Sequence, residues 1–213
     1  VKLYSYWRSS AAYRVRIALN LKEVDYEQVA KDLLHDGGEH HDPAYLALNP
    51  QGLVPALEHD GEIFSQSLAI IEYLDEQYAD PPLLPAKPGP RAQVRSMALH
   101  IACEIHPLNN LRVLQYLRGE LEQDDVAVTN WYQHWIAKGF AALEKQFDRY
   151  SRGQFCFGDS VSMADVCLVP QVYNAERFNC DLSDFPGLVQ IAEHLHSLTA
   201  FAEAAPERQP GAT

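Results

Sequence analysis

The chain has 213 residues, 47% hydrophobic and 22% charged, and 17 Lys and Arg against 29 Asp and Glu give a formal net charge of −12. This composition excludes a disordered or fibrous chain, and the length allows a sizeable core without disulfide or metal staples. The acidic balance makes nucleic acid and anionic membranes poor partners.

The first run alternates, with Leu3, Ser5 and Trp7 on one side and Tyr4, Tyr6 and Arg8 on the other. That is the period of a strand, and it stops at Ser9-Ser10. From Ala11 the period becomes helical, with Val15, Ala18, Leu19 and Lys22 in register and Arg14 and Arg16 on other faces. Ser9 or Ser10 is a natural N-cap for this helix. Tyr26 to Ala30 reads as a second strand, which completes a βαβ unit, most simply with parallel strands. The polar stretch from Leu34 to His41 holds Gly37-Gly38 and three histidines. With Glu39 these look metal-like, but none has ligand spacing, so a solvated loop is expected and no metal. Ala56–His59 and Glu62–Phe64 flank Asp60-Gly61, a strong hairpin signal. Ser67 is expected to cap the next helix, which carries Ile70, Ile71 and Leu74 on one face. The first 80 residues or so therefore read βαβ then ββα, a thioredoxin-sized α/β unit.

Prolines 81, 82, 85, 88 and 90 mark a linker. Beyond it, helical patterns cover about 91–118, 126–149, 162–178 and 186–204. The expected domains are 1–80, α/β; 81–90, linker; and 91–213, all helical. Residues 1–85 carry 6 basic and 14 acidic side chains, residues 86–213 carry 11 and 15. Ser162-x-x-Asp165 before an apolar run is a capping-box variant with a structural role. Cys103, Cys156, Cys167 and Cys180 form no C-x-x-C or zinc spacing and are expected as buried free thiols. No apolar run has signal-peptide or transmembrane length, so a cytoplasmic protein is expected.

Ser9-Ser10-Ala11-Ala12-Tyr13-Arg14-Val15-Arg16-Ile17-Ala18-Leu19 resembles the zeta-class glutathione transferase signature, usually S-S-C-x-x-R-V-R-I-A-L. Leu53-Val54-Pro55, the run from Gln66 to Leu74 and the run from Ala164 to Phe178 match the same class. The resemblance spans nearly the whole chain and implies the glutathione transferase fold, a thioredoxin-like N-terminal domain followed by an all-helical one. The class includes maleylacetoacetate isomerase and the closely similar maleylpyruvate isomerase, which use glutathione without consuming it. It also implies a homodimer.

The site residues follow from that resemblance. Ser9 or Ser10 is the implied partner of the glutathione thiolate, at a helix N-terminus whose free amides carry roughly half a positive charge. Plain N-capping is the alternative role, and one serine can cap while the other faces the ligand. Ala11 stands where the class usually has cysteine, so any addition must come from the glutathione sulfur. Tyr4 and Tyr6 precede the turn and rank as sheet residues. Val54 before Pro55, often cis in this family, pairs with the cysteinyl part of glutathione, and Gln51 reaches its glycyl end. Gln66 and Ser67 at a helix N-terminus suit the γ-glutamyl carboxylate. His40 matches a contact to the glycyl carboxylate, and His106 and Asn110 match a segment lining glutathione from the neighbouring subunit. Arg8, Arg112 and Arg177 are the candidates for the two carboxylates of a maleyl substrate. The implied reaction is addition of the thiolate to the cis double bond, rotation, and elimination to the trans isomer. A conjugating or dehalogenating transferase, or a non-catalytic binding domain, are the alternatives.

Overall fold

The computed structural model describes residues 1–212. The chain forms two units: Val1–Leu83 joined by the chain from Ser197 onward, and Leu84–His196.

The first unit is built on a four-stranded sheet. Strands β1 (Lys2–Ser5), β2 (Glu27–Ala30), β3 (Ala56–His59) and β4 (Glu62–Ser65) lie in the order β2-β1-β3-β4. β1 pairs in parallel with β2, the simplest form of the βαβ reading, while β3 is antiparallel to both β1 and β4. The β3–β4 hairpin turns at Asp60-Gly61, both at positive φ (51° and 82°), the backbone that this dipeptide favours. Helix α1 (Ser10–Leu21) joins β1 to β2, and α3 (Ser67–Gln77) follows β4 with Ile70, Ile71 and Leu74 fully buried.

The expected strand to Ser9 is shorter, because the chain turns at Tyr6–Ser9, where the Ser9 amide donates to the Tyr6 carbonyl at 3.0 Å. A helix that the strand and turn signals hid, α2 (Pro43–Leu48), fills part of the segment between β2 and β3. Pro43 at its first position after Asp42 is the legible sign of it.

α1 is buried on almost every side, from Ala12 through Leu19. Arg14 and Arg16, on other faces than Val15 and Ala18, are not solvent-facing: they are 1% and 0% exposed. Arg14 reaches Ser67 of α3, and Arg16 is covered by a fourth helix of this unit, α9 (Thr199–Ala204), which packs on α1. Arg16 donates to the Ala204 carbonyl (3.0 Å), the Ser5 hydroxyl (3.1 Å) and the Trp7 carbonyl (3.0 Å). Tyr13 and Asn20 donate to the carbonyls of Phe201 and Ala200. A buried guanidinium is tolerable when its donors are satisfied in this way. The helical stretch expected over 186–204 is accordingly two helices, α8 (Pro186–His196) in the second unit and α9 in the first.

The second unit is all helical. α4 (Pro88–Leu99) starts inside the expected linker, with Pro88 at a first-turn position where a missing N–H costs nothing. The expected helix over 91–118 is interrupted: a wide π turn at His100–Ile105 and a 3₁₀ turn at His106–Asn109 lead into α5 (Leu111–Gly119). Pro107 cannot donate to a helical ladder. The wide turn seats Ile105 against α6 (Asp125–Tyr150) at Gly139, where an added Cβ would lie 2.3 Å from the Ile105 side chain. α7 (Met163–Arg177) packs on α4 and α8, with 12 of its 15 residues buried, so it is the centre of this unit. Its N-terminus carries the expected capping box. None of the four cysteines forms a disulfide; Cys156 and Cys167 are buried, while Cys180 is only half-buried. Cys103 departs from the buried reading and is exposed, on the face that also exposes Leu99.

Candidate active site

The turn that ends β1 delivers two serines to the start of α1. Ser9 has an extended backbone (φ −70°, ψ 117°), and its hydroxyl oxygen accepts from the Ala12 amide at 3.2 Å. Ser9 is therefore the N-cap, and Ser10 is the first helical residue, 6% exposed. A hydroxyl that accepts from the backbone keeps its own proton to donate elsewhere. Arg8 lies in the same turn rather than on the strand, its guanidinium 4.9 Å from the centre of the Trp7 ring. The Leu34 amide, 2.7 Å from the Asp32 carboxylate, holds that group below its ordinary range, with Arg8 adding a smaller effect. The Tyr4 hydroxyl donates to Glu58 at 2.9 Å, and burial first, then that carboxylate, raise its pKa. Tyr4 is thus a sheet residue with no readily lost proton.

The next group of predicted residues is assembled by α2 and the loop after it. Tyr45 and Asn49 both donate to the Leu53 carbonyl, at 2.6 and 2.8 Å, and so fix the chain entering Val54. Burial pushes the Tyr45 hydroxyl up to about 12. The Val54–Pro55 bond is cis. Val54 packs with Tyr6, Tyr45 and Ala56. Gly52, at φ +58°, lies against the His40–His41 turn, where a Cβ would meet the His40 carbonyl at 3.3 Å and His41 Nδ1 at 3.4 Å. The His40 ring lies against that of His41, tilted by 40° with centres 3.9 Å apart. Burial, then the His41 charge, lower its pKa. Its Nδ1 is buried with no hydrogen-bond partner among the described residues. Among these residues no three His, Cys, Asp or Glu side chains come together as a metal site.

Gln51 links this loop to α3, its side-chain oxygen accepting from the Gln66 amide at 2.8 Å. Gln66, not Ser67, occupies the N-cap position of α3, at φ +68° and without a side-chain cap bond. The expected Ser67 cap is displaced because Ser67 is already helical. It is 7% exposed, and its hydroxyl accepts from Arg14 of α1 at 3.3 Å. Gln51, Gln66 and Ser67 thus form one connected group, tied through Arg14 to the helix that Ser9 caps, and the His40–His41 turn lies against the neighbouring Gly52. An orphaned ring nitrogen at His40 and an α3 N-terminus lacking a side-chain cap fit the polar ends of a tripeptide such as glutathione. Tyr45 and Asn49 had no signal in motif spacing, and Arg14, though part of the signature run, had none for its bond to Ser67; their hydrogen bonds reveal these roles.

In the second unit, His106, Asn110 and Arg112 share one junction. Asn110 caps α5 by accepting from the Arg112 amide at 3.2 Å, and its side-chain amide lies 3.5 Å from His106 Nε2. The preceding residues dock on α6: Trp131 donates to the Leu108 carbonyl at 2.8 Å, and Asn109 to that of Tyr132 at 3.1 Å. Tyr132 stacks on Phe178 at 3.6 Å, and the Arg177 guanidinium lies 4.8 Å from the Phe178 ring centre. Burial raises the Tyr132 pKa and the nearby Arg177 opposes it. His106, Asn110 and Arg177 are thereby held around one segment of α6.

A family model, the glutathione S-transferase N-terminal domain, matches residues 3–82. Over 211 residues the chain is 56% identical to the probable maleylacetoacetate isomerase of Vibrio cholerae, covering 99% of this chain and 97% of that one. Among solved structures it is similar to a holo maleylpyruvate isomerase, a bacterial zeta-class enzyme, with a TM-score of 0.97 at 45% identity. The maleylacetoacetate isomerase of Methylobacterium extorquens, with malonate and glutathione bound, gives 0.95 at 43% identity. Both comparisons cover 100% of each chain. With helix N-termini, loop pairings and full-length identity in agreement, the chain belongs to the zeta-class glutathione transferases of the maleylacetoacetate and maleylpyruvate isomerase family.

Proposed function

We propose that the protein is a glutathione-dependent isomerase that turns a cis maleyl dicarboxylate, maleylacetoacetate, into its trans isomer. The observation that carries the reading is the pair of serine-bearing helix N-termini, Ser9 on α1 and Ser67 on α3, joined through Arg14 in a chain of this family. Bound glutathione supplies a sulfur nucleophile whose reversible addition to the maleyl double bond lets that bond rotate. The chain's part is to bind, orient and hold charge.

At α1, the Ser9 proton and the first-turn amides favour the thiolate over the thiol. Ser67, Gln66 and the amides of α3 receive the γ-glutamyl carboxylate. The Val54 backbone pairs with the cysteinyl part, and Gln51 and His40 take the glycyl end. His106 and Asn110 line the cofactor of a second copy in a homodimer. A chain at −12 needs local positive charge to attract a dianion, and Arg8, Arg112 and Arg177 provide it. Their planar forks suit carboxylates, and they stabilise the negative charge that moves onto the substrate carbonyl. We also take the protein as cytoplasmic, since four cysteines without a disulfide suit a reducing compartment.

Maleylpyruvate, the substrate in the name of a similar zeta-class structure, is the alternative substrate. Both are distinguished by assaying the two substrates side by side, with and without glutathione. Turnover that requires glutathione and leaves its concentration unchanged is the expected result. Equimolar loss of glutathione contradicts the isomerase reading and points to a conjugating transferase.

A further inference from the structure

Arg14 has no part in the reading above beyond its link to Ser67, yet its placement is specific. It sits on α1, 1% exposed, and its NH1 donates to the Ser67 hydroxyl oxygen at 3.3 Å. Ser67 is itself 7% exposed at the first helical position of α3. A guanidinium has donors only, so in this pair the serine oxygen can only accept. The hydroxyl proton must therefore point to some other acceptor. Gln66 does not cap α3: its side-chain amide is committed to Gln51 at 2.8 Å. A hydroxyl donor thus stands beside amides that lack a side-chain acceptor, and that combination suits a carboxylate. Without Arg14 the Ser67 hydroxyl is free to rotate and to present lone pairs instead, which repel the same ligand.

We propose that Arg14 is a positioning residue for the glutamyl α-carboxylate of glutathione, acting through Ser67 by setting which way its hydroxyl proton points. The inference rests on the reading of the α3 N-terminus given above. Its role is selectivity for a carboxylate at that end, not contact with the reacting atoms.

Calorimetry on the full chain tests it with two ligands, glutathione and the analogue γ-aminobutyryl-cysteinyl-glycine, which lacks only the α-carboxylate. The unmodified protein is expected to prefer glutathione by about tenfold or more, the worth of a hydrogen bond to a charged group. Arg14→Met and Ser67→Ala should each lose that preference while binding the analogue within about twofold of the unmodified protein, and combining them should add little, as coupled sites do. If Arg14→Met does not fold, Arg14→Lys serves instead. It keeps a donor-only head without the rigid fork, and should retain part of the preference with the analogue unaffected. In steady-state assays the change should fall on KM for glutathione, with kcat altered less than about twofold. Equal weakening of both ligands by either Arg14 variant, or an undiminished preference, overturns the positioning role. Absence of glutathione binding by the unmodified protein overturns the cofactor reading, and this proposal with it.

Discussion

Ser9 and Ser67 share a physical feature: each hydroxyl oxygen is already engaged as an acceptor, by the Ala12 amide in one case and by Arg14 in the other. For Ser9 this supports the proposal that it, rather than the adjacent Ser10, partners the thiolate. Its proton remains to be donated, whereas Ser10 is 6% exposed within the helix. Ser9→Ala is therefore expected to raise the pKa of the bound thiol and lower kcat/KM about 100-fold, the scale of one lost donor to a developing or held anion. Ser10→Ala should change it by less than about threefold, a few tenths of a kcal/mol. Thiolate absorbance followed against pH reads the first effect directly, and the reverse ranking would assign the role to Ser10. His40 provides a second residue-scale outcome. Its pKa lies below the ordinary 6.5 because of burial, with His41 adding to it. The stability of the neutral ring is thus present above 6.5 and is lost as pH falls through the lowered value. A carboxylate placed beside it favours the imidazolium, so glutathione should raise the His40 pKa and bind more tightly as pH falls through that window. NMR titration of the ring with and without glutathione checks this; an unmoved or lowered value removes His40 from the cofactor site.

Among the elements, α7 shows how a short motif can govern a large one. Asp165 is fully buried at its third position. One carboxylate oxygen accepts from the Cys156 amide at 2.8 Å; the other accepts from the Ser162 amide at 2.8 Å and the Ser162 hydroxyl at 2.7 Å. Burial raises the Asp165 pKa, and those donors oppose it. Asp165→Ala leaves buried donors unmatched at Cys156 and Ser162, and is expected to cost about 3 kcal/mol or more of unfolding free energy. Denaturant titration measures it, and a loss under about 1 kcal/mol would mean water replaces the carboxylate there. This box was legible because its partners are three residues apart. The break between α4 and α5 was not. The π turn and its seat at Gly139 depend on a packing contact with a helix some 30 residues on, which no local period records. α2 was missed for a related reason: at six residues, Pro43–Leu48 is too short to show a full amphipathic repeat.

At the scale of the molecule, the chain crosses back. The expected boundary near residues 81–90 separates an α/β portion from a helical one, but the segment from Ser197 onward belongs with the first unit. α9 supplies the carbonyls that Tyr13, Arg16 and Asn20 of α1 need. Truncation after His196 is accordingly expected to unfold the first unit or cost it at least about 3 kcal/mol, because buried donors lose their acceptors together. Hydrogen exchange at α1 amides reads that loss, and unchanged protection there would show that α9 is dispensable. The sequence alone determined the βαβ–ββα order, the hairpin at Asp60-Gly61, the capping box, and the motifs at Ser9 and Ser67 that carry the family likeness. These are local, set by residues a few positions apart that choose backbone shape and cap geometry. Only the tertiary structure decided which serine caps α1, that Gln66 rather than Ser67 begins α3, and that Arg14 and Arg16 are interior. The cap at Ser9 is set by a local bond from the Ala12 amide, but the interior placement of Arg14 and Arg16 turns on hydrogen bonds between residues 9 to 188 positions apart, where burial selects partners that periodicity cannot name.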